Sequence, residues 1–348
     1  MKEVSLLAGF FLFREKRTMA KNEFDIINYY FAQQQLQRDD VVLAIGDDCA
    51  LVDVPVNYHV AVSTDSLVAG THFLADADPA LVAYKALASN LSDLAAMGAT
   101  PAWVSLALTL PTIDEAWLAP FCHSFFELAN KYNIQLIGGD TTKGPLSITL
   151  TVQGLVPRGQ ALTRRGAQVG DDVYVTGDLG DSAAGLALIL NQSSSQQYNA
   201  NLVTTLVDRH FKAQPRVNVG EALRGIASAA LDISDGVIAD VKHIAQGSEV
   251  AIDIDVEQLP LSAELLAFCG EDRQRAQQLA LTSGEEYELC FTASVANRDA
   301  LKAALAHTNV KYSCIGKVKA GSGLSLLQLG KPLTWQLSGW DHFVETNN

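Results

Sequence analysis

Apolar and polar positions alternate with a period of two along YHVAVSTDSLV (58–68) and along LSITLTVQGLV (146–156), which predicts strands with one buried face. Between them the period becomes helical. From Pro79 to about Met97, Tyr84, Leu87, Leu91 and Leu94 form one apolar stripe, and Gly98 closes the helix. Lys85, Ser89 and Asp93 recur on another face of that helix at steps of four. TPAWVSLALTLP (100–111) reads as a buried strand and Asp114 to Tyr132 as an amphipathic helix. IQLIGGDTT (134–142) reads as a strand that stops at Gly138-Gly139-Asp140. Upstream, Phe24 to Gln37 has helical spacing, and VVLAIGDDCALV (41–52) reads as a strand running into a Gly-Asp-Asp turn.

The segment from Pro157 to Asp171 breaks this pattern with basic residues, glycines and little periodicity, so the domain boundary is placed there, separating 19–156 from 157–348. Beyond it, DDVYVTG is a strand, and Gly180-Asp181-Ser182 open a small-residue helix that runs from Ala183 to Leu190. NQSSSQQYNAN is a polar loop and Pro215 to Ala230 reads as helical. ALDIS is a strand that feeds the helix DGVIADVKHIAQ. EVAIDID, YELCFTA, VKYSCIGKV and LSLLQL are further strands, with helices around Ala263–Phe268 and Asn297–His307. Strands and helices alternate, with several neighbouring strand pairs. A two-domain α+β fold with a mixed N-terminal sheet and a C-terminal α+β domain fits this order better than a doubly wound one.

Hydrophobic residues make up 48% of the 348-residue chain and charged residues 18%, enough for sizeable cores and contrary to disorder. The net charge of −14 repels nucleic acid and anionic lipid, so neither is expected as a partner, and it repels phosphates unless metal ions reverse the local sign. Five scattered cysteines without a C-x-x-C pair point to a reduced, cytoplasmic setting. The apolar run Val4–Phe13 is too short to span a bilayer. Met19 opens an ordinary domain start, so residues 1–18 are expected to be an N-terminal extension.

The chemistry lies in carboxylates that follow apolar runs beside Gly, Ser or Thr: Asp47 and Asp48 in GDD, Asp65 after Ser63-Thr64, Asp93 in LSDLAAMG, Asp140 in GGDTT, and Asp232 and Asp235 in DISDG. Taken singly, an Asp in such a place is most often a helix cap or a turn residue. Taken together they are hard oxygen donors suited to Mg²⁺, which shares its shell with phosphates and water. Two carboxylates 4 Å apart repel by roughly 4 kcal/mol at an effective dielectric near 20, so convergence would demand divalent cations, brought by a nucleoside triphosphate. No Walker loop, protein-kinase set or dinucleotide fingerprint is present. GDLGDSAAG could approach a phosphate, but tight-turn packing explains it as well. Paired Arg164 and Arg165 suit a phosphate or a solvated loop. His72, Glu285 and Trp340 each admit a structural role as well as a ligand contact.

In order and spacing, GDDCAL, STDSLVAGTHF, NLSDLAAMGATPAW, LIGGDTTKGPL, ALTRRGA, DISDGVIAD and SGEEYELCF resemble the bacterial thiamine-monophosphate kinase family, over about residues 22–343. That family is grouped with aminoimidazole ribonucleotide synthetase. The resemblance implies an N-terminal domain that binds ATP and Mg²⁺ and whose strands join a second subunit in a homodimer, followed by a larger C-terminal domain. It implies transfer of the γ-phosphoryl group of ATP to thiamine monophosphate, in line and with several Mg²⁺ ions. By motif it assigns metal contact to Asp48, Ser63, Thr64, Asp65, Asp93, Asp140, Asp232 and Asp235. Gly139, Asp140, Arg164 and Ser234 fall to ATP, and His72, Glu285 and Trp340 to thiamine monophosphate. No side chain is assigned as a general base, because the attacking substrate phosphate is already anionic. Three features depart from the pattern: residues 1–18, Glu286 where Asp is expected, and the polar loop near Ser193–Gln197. Two rival readings are a superfamily relative acting on a formyl or amide acceptor, and a cation-binding regulatory protein without turnover.

Overall fold

The computed structural model describes residues 22–340 apart from 33, 35 and 192–196. The expected N-terminal extension and most of the polar loop at Ser193–Gln197 therefore lie outside the described residues.

A four-stranded sheet has the order β3-β6-β4-β5, formed by β3 (Tyr58–Val68), β4 (Thr100–Leu110), β5 (Gln135–Lys143) and β6 (Ser147–Pro157). β6 pairs antiparallel with β3 and β4, and β4 pairs parallel with β5, which makes it the mixed sheet that the pattern predicts. Two helices cover one face. α2 (Pro79–Ala96) starts where Asp78 caps the Ala80 N–H at 2.9 Å with Pro at the first turn, and α3 (Glu115–Lys131) is capped in the same way by Asp114. Leu87 and Leu91 of α2 and Phe121 and Phe125 of α3 pack on Leu106, Leu108, Ile148 and Leu150 of the sheet. A two-stranded hairpin, β1 (Val41–Leu43) and β2 (Leu51–Val52), brings Val41, Ala50 and Val52 onto Trp103, Ile137 and Leu155 on the opposite face.

The rest of the chain builds a seven-stranded sheet of order β13-β12-β9-β11-β7-β10-β8. Its strands are β7 (Asp172–Thr176), β8 (Ala229–Asp232), β9 (Ala251–Asp255), β10 (Leu289–Ala293), β11 (Tyr312–Lys319), β12 (Gly323–Gln328) and β13 (Lys331–Leu333). Helices α4 (Asp181–Leu190), α5 (Ala200–Phe211), α6 (Val217–Ala222), α7 (Val237–Ser248), α8 (Ala263–Phe268), α9 (Arg273–Thr282) and α10 (Arg298–Leu305) surround it. One face buries Val237, Val241 and Ile244 of α7 against Val173, Leu231 and Ile252. The other face holds Tyr174, Ala230 and Phe291 in a core that also takes in Ala95 and Ala96 at the end of α2. That shared core fixes the two sheets relative to each other.

Several expectations need correction. Pro215 to Ala230 is not one helix: α6 ends at Ala222, Gly225 turns with φ +72°, and the alanines at 229 and 230 pair with Thr292 and Phe291 in the sheet. Tertiary pairing overrides the helical propensity of alanine. β5 does not stop at Asp140 but runs to Lys143, carried by its pairing with β4. The first helix is short: α1 (Glu23–Ile26) gives way to a π turn over Ile27–Phe31. α5 and α9 went unpredicted; α9 is a mostly polar segment whose start is set by the Asp272 cap. Among the described residues no helix is long and apolar enough to cross a membrane.

α2 and α6 touch backbone to backbone at Gly220, where an added Cβ would lie 2.0 Å from the Ala95 carbonyl oxygen. Gly220→Ala should therefore cost about 1–3 kcal/mol by overpacking. Urea unfolding checks this, and an unchanged midpoint would show that the helices separate freely.

Candidate functional site

A cavity of about 1070 Å³ opens where β3, α2, the loop after β8 and the loop after α9 meet. It gathers Ser63, Thr64, Asp65, His72, Asp93, Arg164, Asp232, Ser234, Asp235, Glu285 and Trp340, residues far apart in the chain that the motifs singled out.

Each acid arrives by a local rule. On β3, Ser63, Asp65 and Leu67 share the face turned toward the helices, and Leu67 is buried in the core there. Asp93 sits two turns beyond Lys85 on α2. Its carboxylate accepts the Ser63 hydroxyl at 2.5 Å. One residue earlier, the Ser92 hydroxyl donates to Asp232 at 2.7 Å, which joins the two halves of the chain. Asp232 ends β8. The following Ser234-Asp235 turn is held by Asp240, whose carboxylate accepts both backbone N–H groups at 3.1 and 3.0 Å. Gly236, with φ +104°, has no room for a side chain, because a Cβ would lie 2.9 Å from the Thr282 backbone.

The cluster is short of positive charge. Burial first, and then the negative charges of Asp93 and Asp235, push the Asp65 carboxyl up to about 6. Burial and the Asp93 charge push Asp232 to about 7, against the Ser92 hydrogen bond. Asp93 is raised by burial, with partial relief from Ser63 and from Arg164. Three neighbouring carboxyls that resist ionisation, Asp65, Asp93 and Asp232, with Asp235 beside them and oxygen donors alone, fit a hard divalent cation that neutralises them. Among the described residues no three side chains are already closed into a metal cage.

The opposite wall is differently charged. Lys85, 1% exposed, forms an ion pair with Glu285 at 2.7 Å. The Val68 N–H donates to His72 Nδ1 at 3.1 Å, which leaves the ring proton on Nε2. Trp340 stands half exposed at the rim, and its backbone N–H donates to the Asp235 carbonyl at 3.0 Å.

Not every expected residue is here. Asp48, Gly139 and Asp140 do not line the cavity. Asp48 lies in the β1–β2 loop. Asp140 is aligned with Ala107, which in turn pairs with Thr149, and Thr149 shares the outer sheet face with Ser66 through a 2.7 Å hydroxyl contact. Gly139 has a packing reason, since a Cβ would lie 1.8 Å from the Leu106 carbonyl oxygen. Glu286 turns away from the cavity and caps α4, accepting the Gly180 and Ser182 N–H groups, with its carboxyl pushed up to about 8 mainly by burial. Lys85, Ser92, Ser182, His210 and Asp240 took no site role in the sequence reading. Lys85 shared the helix face of Asp93, and Asp240 closed the DISDGVIAD motif. His210 carried no signal at all.

Residues 46–156 match the family model "AIR synthase related protein, N-terminal domain" and residues 168–327 match "AIR synthase related protein, C-terminal domain". The chain is 52% identical over 327 residues to the thiamine-monophosphate kinase of Escherichia coli K12, covering 94% of this chain and 99% of that protein. It resembles the crystal structure of thiamine-monophosphate kinase from Stenotrophomonas maltophilia K279a, with 43% identity and a TM-score of 0.79 over 86% of this chain and 94% of that one. It also resembles AaThiL complexed with AMPPCP and TMP, with 31% identity and a TM-score of 0.73 over 92% and 97%.

The raised carboxyls set a pH dependence. Asp65 and Asp232 titrate above the ordinary 3.8 of aspartate, so their contribution to stability is fully present below about pH 4 and is lost as pH rises through about 6 to 7. Metal-free protein should melt on the order of 5 °C lower at about pH 8 than at about pH 5. Mg²⁺ at about a hundred times its Kd should restore about 2.7 kcal/mol at the higher pH and less at the lower. A flat melting profile by calorimetry, or equal stabilisation at both pH values, would count against the cluster.

Proposed function

The chain belongs to the thiamine-monophosphate kinase family, and from that premise we propose that it transfers the terminal phosphoryl group of ATP to thiamine monophosphate, releasing thiamine diphosphate and ADP. It is a kinase that acts on a phosphate acceptor. The observation that carries the substrate reading is the cavity's mixed chemistry: Asp65, Asp93, Asp232 and Asp235 line it together with His72 and Glu285, and the buried Lys85 pairs with Glu285 behind the lining. Relatives also support it, one of them solved with AMPPCP and TMP.

The attacking phosphate oxygen is already anionic, so the protein has no proton to remove. Its task is to align two phosphates that repel each other. Asp65, Asp93, Asp232 and Asp235 would hold Mg²⁺, which when bound supplies charge neutralisation and polarises the transferred group. Ser63 spends its proton on Asp93, which fixes that carboxylate and leaves hydroxyl lone pairs toward the cavity. Arg164 brings a permanent positive charge to the rim, and Ser234 offers a hydroxyl beside it for ATP. Trp340 presents an aromatic face suited to a cationic thiazolium ring.

The roles of Asp48, Thr64, Gly139 and Asp140 toward metal and ATP rest on the family resemblance. The outer sheet face suggests how they would be served. Val60 and Val62 are 37% and 63% exposed on β3, and Val42, Leu51, Val54, Val56 and Tyr58 are exposed nearby. An apolar surface of this kind marks an interaction site. We read it as the homodimer face of an N-terminal domain (19–156) that binds ATP and Mg²⁺, joined at 157–171 to the C-terminal domain. The reaction is placed in the cytoplasm, where ATP is available and the five free cysteines stay reduced.

Purified enzyme given ATP, Mg²⁺ and thiamine monophosphate should form thiamine diphosphate, identified by chromatography. Faster ADP release with a formyl or amide acceptor would favour the rival superfamily reading. Asp232→Asn should lower kcat more than about a hundredfold without lowering the melting temperature. Near-normal turnover in saturating Mg²⁺ would remove Asp232 from the site. Val62→Lys should turn the dimer into a monomer in sedimentation, and a monomeric unaltered protein would reject the interface.

A further inference from the structure

We propose that Asp240 is a positioning residue for the phosphoryl transfer: its carboxylate holds the Ser234-Asp235 turn so that the Ser234 hydroxyl and the Asp235 carboxylate face the cavity with or without a bound cation. The inference rests on the functional reading above and deepens it.

Asp240 is the fourth residue of α7 and is 3% exposed. A carboxylate that caps a helix stands just before it and accepts N–H groups of the first turn. Asp240 does the reverse. From inside the first turn its Oδ2 reaches back past Gly236 to the Ser234 N–H at 3.1 Å and the Asp235 N–H at 3.0 Å. Neither N–H belongs to the helix, which starts at Val237. The side chain therefore serves the turn and not the helix. Backbone N–H groups ahead of a helix are otherwise a ready place for a phosphate. This internal anion closes two of them, so Ser234 and Asp235 are left to act through their side chains.

The carbonyls of the same two residues are held from elsewhere in the chain. The Ser234 oxygen accepts the Glu285 N–H at 2.8 Å, and the Asp235 oxygen accepts the Trp340 backbone N–H at 3.0 Å. A Cβ at Gly339 would lie 2.4 Å from the Asp235 oxygen, so the C-terminal segment lies directly on the turn. One residue earlier, Ile233 gives its N–H to the Glu288 carbonyl at 2.8 Å and accepts the Tyr287 N–H at 2.9 Å. All four polar backbone groups of Ser234 and Asp235 are thus engaged, and both residues line the cavity. A carboxylate fixed in this way loses little freedom when a cation binds, whereas one on a loose turn must be ordered at that moment. Moving the Asp240 oxygen frees one edge of the turn and takes from its two N–H groups the acceptor they share.

The test separates the place of the acceptor oxygen from its charge. Asp240→Asn keeps an oxygen at the same reach and removes the charge, whereas Asp240→Glu keeps the charge and shifts it by one methylene. Mg²⁺ alone is titrated by calorimetry into the metal-free, full-length protein. Asp240→Glu should weaken Mg²⁺ binding roughly tenfold, and Asp240→Asn should stay within about threefold of the unaltered protein. In the assay kcat should fall in the same order, with KM for thiamine monophosphate steady within about twofold. An Asn variant as weak as the Glu variant or weaker would make charge the cause and overturn the positioning role, as would equal Mg²⁺ affinity in all three proteins. In the unaltered metal-free protein, the Ser234 and Asp235 amides should exchange hydrogen at least about a hundredfold slower than in an unfolded peptide. Unprotected amides would overturn the proposal even if neither variant folds. The expected ranking of Mg²⁺ affinities without any thiamine diphosphate formed would uphold the hold of Asp240 on the turn and overturn instead the function proposed above.

Discussion

Repulsion among Asp65, Asp93, Asp232 and Asp235 is the constraint around which the molecule is arranged. Left to themselves these carboxyls would separate, ionise in water or stay protonated. The fold prevents separation by anchoring Asp65 on an 11-residue strand, Asp93 on an 18-residue helix and Asp232 at the end of a buried strand, with Asp235 in the turn that Asp240 holds. Burial also raises Asp65 to about 6 and Asp232 to about 7, so near neutral pH the metal-free site sits close to its own titration. Such a site gains most from an arriving cation, because the energy stored in opposing charges is released on binding.

The surrounding structure keeps that tension local. Two buried acids elsewhere are matched by cations: Glu288 is gripped by Arg216 on two hydrogen bonds, and buried Asp172 meets Arg298 and Lys317. Asp240 is spent on the backbone of the Ser234-Asp235 turn, and Glu286 on the start of α4. At the cavity, acids are left facing one another with Arg164 nearby.

Much of this was legible in the sequence, and for physical reasons. Asp93 could be placed because helical periodicity puts it on one face with Lys85 and Ser89. Asp65 could be placed because strand alternation fixes its side from Leu67. Asp232 stood out as a charge at the end of an apolar run. What failed were features set by long-range packing. The alanines at 229 and 230 read as helix until a neighbouring strand claims them. Gly139 read as a ligand contact, and the close Leu106 carbonyl adds a packing reason for glycine that local sequence does not show. Asp140 does not line the cavity in this structure, and local pattern does not say which face of a strand a distant cavity occupies. His210 was invisible, because its meaning depends wholly on Lys85 and Ser182, both remote in sequence.

α2 joins the two chemistries. Lys85 and Asp93 lie eight residues apart on one face, which at 1.5 Å per residue is about 12 Å along the axis. One end of that span holds the carboxylate wall, and the other holds Glu285 and the His72 backbone. The helix is also rooted in both cores, by Leu87 and Leu91 on one side and by Ala95 and Ala96 on the other. The spacing between the two walls therefore belongs to a rigid rod, and the relative setting of the two sheets is held by the same rod. Binding at one end would need no movement of the other, which is the economy a direct transfer between two bound phosphates requires.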